Sequence, residues 1–349
     1  MLTSDFDYHL PEDRIAQRPV EPRDASRLLV VHRATGDLEH RRFRDIVDYL
    51  RPGDVLVANE TRVIPARLRA VKDPTGGRVE VLLLVRRDPL LWEALVGGRR
   101  VGVGQRLIFP VPGREAASAT VEAITPSGGR LLRFEEPVDG RLSSLGEVPL
   151  PPYIHEALED PERYQTVYAR AEGSTAAPTA GLHFTPELLA RTREMGVEWV
   201  SVLLHIGLDT FRPVTEERVE DHQIHTEYCR LSAGVADTIN HAMAEGRRII
   251  TVGTTSVRVL ETAARGIERP ARTQGRRVGP WDGPTDLFII PGYRFRVVDA
   301  LVTNFHLPRS SLLMLVSALA GHELIMRAYD VAIQERYRFY SLGDSMLIL

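Results

Sequence analysis

The run Gly253-Thr254-Thr255-Ser256-Val257-Arg258 sets a glycine, three hydroxyls and an arginine directly after the apolar stretch Arg248–Val252. A glycine and hydroxyls that leave a strand and open a helix present backbone N–H groups and side-chain donors together, the chemistry of an anion or polar-ligand site. Helix capping alone also accounts for Thr254, Thr255 and Ser256. Arg258, one turn further on, is spaced to grip a carboxylate with two parallel N–H bonds. A second run, Ala176-Ala177-Pro178-Thr179-Ala180-Gly181-Leu182-His183-Phe184, puts small residues and a proline before a helix, with Thr179 and His183 at the gap. Its plain alternative is a tight loop with a packed histidine. In a third run, Leu301–Pro308, an apolar strand runs out to Asn304 and His306, and in a fourth His205–Phe211 leaves a strand in the same way. Polar groups just past strand ends are where parallel α/β sheets place ligands.

Composition removes several competing chemistries. The chain has 349 residues, with Lys+Arg 44 and Asp+Glu 47, a formal net charge of -3. Its one lysine, Lys72, does not follow a phosphate-loop run and lies in a turn-like stretch unsuited to a Schiff base. The lone Cys229 excludes a structural disulfide, a four-cysteine zinc site and a cysteine-held iron–sulfur cluster, and it fits a reducing compartment. His183, His205, His222, His225 and His306 with Asp221 invite a metal reading, yet no H-E-x-x-H or comparable spacing occurs, and no metal is expected. Rossmann, methyltransferase and serine-elbow glycine patterns are missing as well. Met1–Leu10 lacks the apolar stretch of a signal peptide, and Leu312–Ala320 is about half the length that spans a bilayer. The expectation is a cytoplasmic protein with no membrane contact. An acidic balance leaves any nucleic-acid surface to a local arginine patch.

These runs need elements to hold them. Leu28–His32 reads as a strand, Phe43–Leu50 as a helix, and Asp54–Ala58 as a buried strand after the stop at Pro52-Gly53. From Val63 six short apolar runs follow: Ala66–Val71, Val79–Val85, Leu91–Val96, Arg106–Phe109, Ala119–Ile124 and Arg130–Phe134. Turn clusters part them, a spacing that predicts a small antiparallel barrel or sandwich. Beyond Pro149-Leu150-Pro151-Pro152 the pattern alternates. Helices are expected at Pro186–Met195, Val235–Glu245 and Ser310–Ala320. Strands are expected at Val197–His205, Arg248–Val252, Asp286–Ile290, Val297–Thr303 and near Tyr337–Tyr340. Arg265–Gly283 reads as an exposed loop. The expectation is an α/β fold: a larger α/β domain, residues 1–62 and 150–349, with a mostly parallel or mixed sheet, carrying an inserted small antiparallel β-barrel domain at residues 63–149.

Longer stretches carry a resemblance. They are Asn59–Arg67 (NETRVIPAR), Leu150–Ile154 (LPPYI), Tyr164–Tyr168 (YQTVY) and Ala176–Phe184 (AAPTAGLHF). Asp221-His222 with His225-Thr226-Glu227, then Val252–Arg258, Val298–Pro308 and Tyr337–Leu349 complete the set. From Asp5 to its end the chain resembles the S-adenosylmethionine:tRNA ribosyltransferase-isomerases of queuosine biosynthesis. It departs from that family at Asp209, usually Gly, and at Glu60, commonly Asn.

The resemblance implies transfer of the ribosyl part of S-adenosylmethionine to 7-aminomethyl-7-deazaguanine at the tRNA wobble position. The products are epoxyqueuosine-tRNA, adenine and methionine. The sulfonium acidifies the C5′ protons and is its own leaving group, so no cofactor is expected and S-adenosylmethionine is a consumed substrate. The reaction needs a base at C5′, an acid for adenine, and donors for the methionine carboxylate and ribose. Under this reading Thr254, Thr255, Ser256 and Arg258 hold the carboxylate or ribose, and Thr179 and Asn304 orient the ligand. His183, His306 and His205 are the candidate acid/base groups, with the choice among them open. Arg62 and Arg67 are candidate tRNA phosphate contacts, and the protein is expected to act as a monomer. Two rival readings remain at this stage, a metal-dependent nucleotide hydrolase using the histidines and a non-catalytic RNA-binding protein built round the barrel.

Overall fold

The computed structural model describes all residues except 112, 114, 126–127, 208–212, 225 and 266–276. The chain forms two compact units: Met1–Thr61, Pro151–Ala171 and Pro178–Leu349 make the larger, Arg62–Leu150 and Glu172–Ala177 the smaller. The expected boundaries do not include the short return at Glu172–Ala177.

In chain order the strands begin with β1 (Arg27–Val31), β2 (Leu38–Arg42), β3 (Val55–Asn59) and β4 (Thr61–Val63). The smaller unit continues with β5 (Arg67–Asp73), β6 (Arg78–Arg86), β7 (Leu91–Val96), β8 (Arg106–Phe109), β9 (Ala117–Ile124) and β10 (Arg130–Phe134). It closes with the one-turn α1 (Leu142–Leu145) and β11 (Gly146–Glu147), and β12 (Ala171–Ser174) pairs with β4. Next come α2 (Pro186–Glu194), β13 (Glu198–Leu204), β14 (Glu227–Leu231), α3 (Ala233–Ala244), β15 (Ile249–Val252) and α4 (Thr254–Arg265). The last elements are β16 (Trp281–Thr285), β17 (Ala300–Asn304), α5 (Ser311–Ala320), α6 (His322–Gln334) and β18 (Ser345–Ile348).

In the smaller unit β5, β6, β7, β10, β9 and β8 pair antiparallel in that order, and β8 pairs back onto β5 (Val71 opposite Ile108). Six strands therefore close a barrel, which removes the exposed edges that an open sheet of this size would leave. Alternate residues such as Leu68, Val81, Trp92, Leu107, Val121 and Phe134 fill its interior.

The larger unit is built on a mixed sheet in the order β16-β14-β13-β3-β15-β17-β18-β1-β2. At its centre β13, β3, β15 and β17 are mutually parallel. One sheet face presents Leu56, Ala58, Ile250, Val252, Ala300 and Val302 to a core with Phe43, Ile46, Phe184 and Leu188. Strand period places the odd partners Val55, Val57, Leu301 and Thr303 on the opposite face, where α3 and α4 pack. Each fully buried aliphatic side chain in these layers contributes about 1.5–3 kcal/mol.

The α/β class and the barrel are as expected, and several elements differ. Phe43–Tyr49 is a 3-10 rather than an α-helix, its Phe43, Ile46 and Val47 buried against the sheet. The strand expected at Asp286–Ile290 lies instead at Trp281–Thr285, where Gly283 and Pro284 are tolerated because β16 is an edge strand. Tyr337–Tyr340 is not a strand either; Arg336 and Tyr340 take positive φ, and Tyr337 and Phe339 pack on Phe305. The final strand is β18. No single helix among the described residues is long and apolar enough to cross a membrane, and the α5–α6 pair is bent by 115°.

The turn after Tyr340 depends on Gly343, where a Cβ would lie 2.6 Å from the Phe339 carbonyl. Gly343→Ala should therefore lower unfolding free energy by about 1–3 kcal/mol. An unchanged denaturant midpoint would refute that reading of the turn.

Candidate functional site

Four parallel strands discharge their carboxyl ends on one edge of the large sheet: β13 into His205, β3 into Glu60 and Thr61, β15 into Gly253, and β17 at Asn304. Asn59 knits two of these ends together. Its Nδ2 donates to the Leu204 carbonyl at 2.8 Å, while its Oδ1 accepts from the N–H groups of Leu204 and Thr61, each at 3.1 Å. Thr61 Oγ1 then meets His205 Nδ1 at 2.9 Å. At β15 the left-handed Gly253 (φ 88°) turns the chain straight into α4. A Cβ there would sit 3.7 Å from the Ala180 Cβ, so the 3-10 turn Thr179–His183 rests against the start of α4.

His183 is buried under this turn and stacks on Phe43. Asn304 Nδ2 faces the carbonyls of Tyr340 (3.3 Å) and Asp344 (3.4 Å), which accept and cannot donate. That fixes the amide: its Oδ1 accepts from Thr179 Oγ1 at 2.9 Å, and its Nδ2 also donates to His183 Nε2 at 3.2 Å. The imidazole proton must then lie on Nδ1, which donates to Ser26 Oγ at 2.7 Å. Burial above all, with Arg338 and Arg23 adding to it, pushes the His183 pKa down to about 3. Both ring nitrogens are engaged and the ring is neutral.

Three hydroxyls around the same turn are buried without a hydrogen-bond partner among the described residues: Thr166 Oγ1, Tyr168 Oη and Thr255 Oγ1. Native interiors satisfy nearly all such atoms, so three together mark a place built for a polar ligand. Gly181 makes room for two of them, since a Cβ there would overlap the Tyr168 hydroxyl and press on Thr166. Beside the turn a cleft is lined by Arg23, Ser26, Arg163, His183, Ser341 and Gly343. Burial, then the neighbouring Arg163, push the Arg23 pKa down, while Arg163 is itself ion-paired with Glu21 at 3.0 Å, so Arg23 is the cation this cleft offers an anionic occupant. Arg23 is held in place by the carbonyls of Gln165 (2.8 Å) and Glu162 (2.9 Å). Sequence reasoning missed Arg23, Arg163 and Ser26, which precede β1 or sit in irregular chain; Thr166 and Tyr168 lay inside the YQTVY run with no role given.

Of the expected residues, Thr179, Asn304 and His183 form one network, with Thr255 near it across Gly253. Others are placed differently. Thr303 and Asn304 are consecutive on β17 and so face opposite sides of the sheet. His306 bonds Thr303 Oγ1 through Nε2 at 2.8 Å and is therefore separated from His183 by the sheet itself. Burial pushes its pKa down to about 3 too. Arg258 is no open clamp: it is only 7% exposed, ion-paired to Glu227, and donates to the Leu287 carbonyl at 3.2 Å. Glu227 in turn accepts from the Gly207 N–H at 3.0 Å, which ties the segment after His205 to β14. Ser256 Oγ donates back to the Val252 carbonyl at 2.9 Å, a local helix bond. Thr254 is buried at the first position of α4.

His205 is half-buried, stacks on Tyr228, and has its pKa lowered by burial and then by Arg230. Glu60, at one departure from the family pattern, is ion-paired with Arg170 at 2.5 Å; Asp209 and His225 lie outside the described residues. His222 bonds Glu216 at 2.9 Å, and among the described residues no three His, Cys, Asp or Glu side chains converge as a metal set. In the smaller unit Arg67, partly exposed, lies 3.5 Å from Glu80 and donates to the Leu150 carbonyl at 3.4 Å. Arg62 is partly exposed at β4.

Two predictions follow from the burial of these groups. His183 and His306 bind protons more readily unfolded (6.5) than folded (about 3). Their contribution is thus complete above pH 6.5 and lost as pH falls, at about 1.4 kcal/mol per unit for each ring. Denaturant midpoints should fall between pH 6.5 and 5, more shallowly in His183→Gln/His306→Gln; equal slopes in both proteins would count against buried neutral rings. Gly181→Ala should destabilise by about 1–3 kcal/mol, and Tyr168→Phe should recover part of that loss. Additive losses would show that the two groups are not in contact.

A family model described as "Queuosine biosynthesis protein" matches residues 3–348. The chain is 58% identical over 353 residues, covering 100% of both chains, to the S-adenosylmethionine:tRNA ribosyltransferase-isomerase of Moorella thermoacetica. It is 57% identical, at the same coverage, to the protein of that name from Symbiobacterium thermophilum. Among solved structures, S-adenosylmethionine tRNA ribosyltransferase from Thermotoga maritima matches with a TM-score of 0.56 at 41% identity, covering 99% of this chain and 100% of that one. With a family match over nearly its whole length and full-length relatives above half identity, this chain belongs to the queuosine biosynthesis protein family.

Proposed function

We propose that this chain is an S-adenosylmethionine-dependent tRNA ribosyltransferase-isomerase. It moves the ribosyl part of S-adenosylmethionine onto 7-aminomethyl-7-deazaguanine at the wobble position of tRNA, and releases adenine and methionine. S-adenosylmethionine is consumed as a substrate and no separate cofactor takes part. The observation that carries the site assignment is the group of three unpartnered hydroxyls around the Thr179–His183 turn. A ribose with two hydroxyls and a ligand ending in a carboxylate supply the partners those atoms lack. The whole-chain identity to relatives of that activity supports the substrate class.

Thr179, Asn304, Thr255, Thr166 and Tyr168 are assigned to the ribose and its neighbours. Arg23 takes the carboxylate, the role first expected of Arg258. His183 positions rather than titrates, because its proton is locked between Ser26 and Asn304. His205 is the ring with access to solvent, and its lowered pKa leaves it a neutral base at pH 7. Thr61 at Nδ1 orients the ring and leaves Nε2 to take the C5′ proton. With β3 between β13 and β15, their ends are about 10 Å apart, the span of a nucleoside.

The test uses S-adenosylmethionine labelled separately in ribose and in methyl, with tRNA carrying the aminomethyl base. Ribose label in tRNA, no methyl label there, and free adenine are expected; methyl label in tRNA, or no transfer, rejects the proposal. His205→Ala should lower kcat at least 100-fold and flatten its acid limb. A similar loss in His183→Ala with the acid limb unchanged is expected of a positioning group, and the reverse pattern would exchange the two roles.

A further inference from the structure

The smaller unit differs in charge from the rest of the chain. Residues 62–150 hold 14 Lys and Arg against 10 Asp and Glu, a net +4 in a protein of net -3 overall. Six of these arginines are neutralised locally. Arg69 pairs with Glu147, Arg86 with Asp139, Arg87 with Glu93, Arg106 with Asp73 and Glu135, Arg133 with Asp88 and Glu122, and Arg141 with Glu136. Among the described residues, five other cations, Lys72, Arg78, Arg99, Arg100 and Arg130, lie at one end of the barrel. The antiparallel order puts the β5–β6 turn, the β7–β8 loop and the β9–β10 turn at the same end, opposite the start of β5 at Arg67.

Contacts bind those three connections into one surface. Lys72 Nζ donates to the Arg99 carbonyl at 3.1 Å, and Arg130 Nε to the Val101 carbonyl at 3.0 Å. Gly98 (φ 104°) lies against Val79, where a Cβ would come within 2.9 Å. Arg78, Arg99 and Arg100 are exposed and have no carboxylate partner among the described residues, while the nearby Asp73 and Glu80 are occupied by Arg106 and Arg67. Arg100 itself stands in the left-handed region (φ 57°), and Val103 beside it is 63% exposed. Lys72, Arg78, Arg99, Arg100 and Arg130 thus form a cationic cap next to bare apolar surface.

We infer that this end of the barrel is a surface that grips the phosphate backbone of tRNA. The inference rests on the proposed function for the identity of the polyanion. Separate cations on three loops match a continuous row of phosphates better than one small anion, and the exposed valine offers contact to a sugar or base. The acidic remainder of the chain leaves RNA association to a local patch of this kind.

The full-length Arg99→Gln/Arg100→Gln variant leaves the ion pairs described above in place, and Arg133→Gln serves as the ion-paired control. Equilibrium binding of unmodified tRNA is measured from 50 to 200 mM salt. The double variant should bind at least 10-fold more weakly at low salt. Its slope of log affinity against log salt should fall by about 1.4–1.8, at 0.7–0.9 per charge, while Arg133→Gln leaves the slope unchanged. Arg78→Gln should lower the slope further. Unaltered affinity and slope in the double variant, or equal losses in Arg133→Gln, overturn the inference; so does loss of binding to anionic phosphatidylserine vesicles with tRNA binding intact. If the labelled-ribose transfer fails but the salt slope still depends on Arg99 and Arg100, the functional reading falls and the RNA surface stands.

Discussion

The parallel alignment of β13, β3, β15 and β17 is the constraint on which the proposed chemistry depends. Parallel pairing sends every carboxyl end to one edge, so four segments that are far apart in sequence deliver polar groups to a common line. Strand alternation then sorts those groups between two faces. Asn304 joins Thr179 and His183 on one side, while Thr303 takes His306 to the other. Two histidines that look equivalent as letters are thereby divided by a layer of backbone.

Within the edge, rigidity comes from saturated hydrogen bonding. The Asn304 amide is pinned by two carbonyls, and that orientation dictates which nitrogen of His183 carries its proton. Glu227 and Arg258 form a second fixed point, where a buried ion pair also holds the Gly207 N–H. Such a pair is costly to strip of one partner, which is why Arg258 is better read as a support for the loop after His205 than as a ligand clamp. Against these saturated groups the unfilled hydroxyls of Thr166, Tyr168 and Thr255 stand out.

The sequence made the architecture legible wherever pattern and chemistry agreed. The barrel strands follow from short apolar runs parted by Gly and Pro, and the strand ends at Val252, Asn304 and His205 follow from apolar runs meeting polar residues. It was misleading where side-chain type and backbone state diverged. Alternating Tyr337, Arg338 and Phe339 imitate a strand, yet the aromatics are buried around Phe305 in irregular chain. Arg258 shows the other limit: a motif reveals a cation and cannot reveal that Glu227, 31 residues away, has already neutralised it. Arg23 and Ser26 carried no local signal, because their place in the cleft arises from Leu182 and Gln165 more than a hundred residues on.

The interrupted course of the larger unit bears on how the chain assembles during synthesis. Every pairing of the barrel falls between Arg67 and Glu147, so it can close while later residues are still being made. The large sheet has no such independence. Its β3 is enclosed by β13 and β15, and β1 takes its inner neighbour from β18, with Leu28 opposite Ser345, more than three hundred residues on. The strands β1 and β3 must therefore wait, with apolar faces uncovered, until their later partners have been made. High contact order of this kind makes the larger unit the slow step, and the early barrel a folded spacer that shortens the effective loop between β3 and its partners.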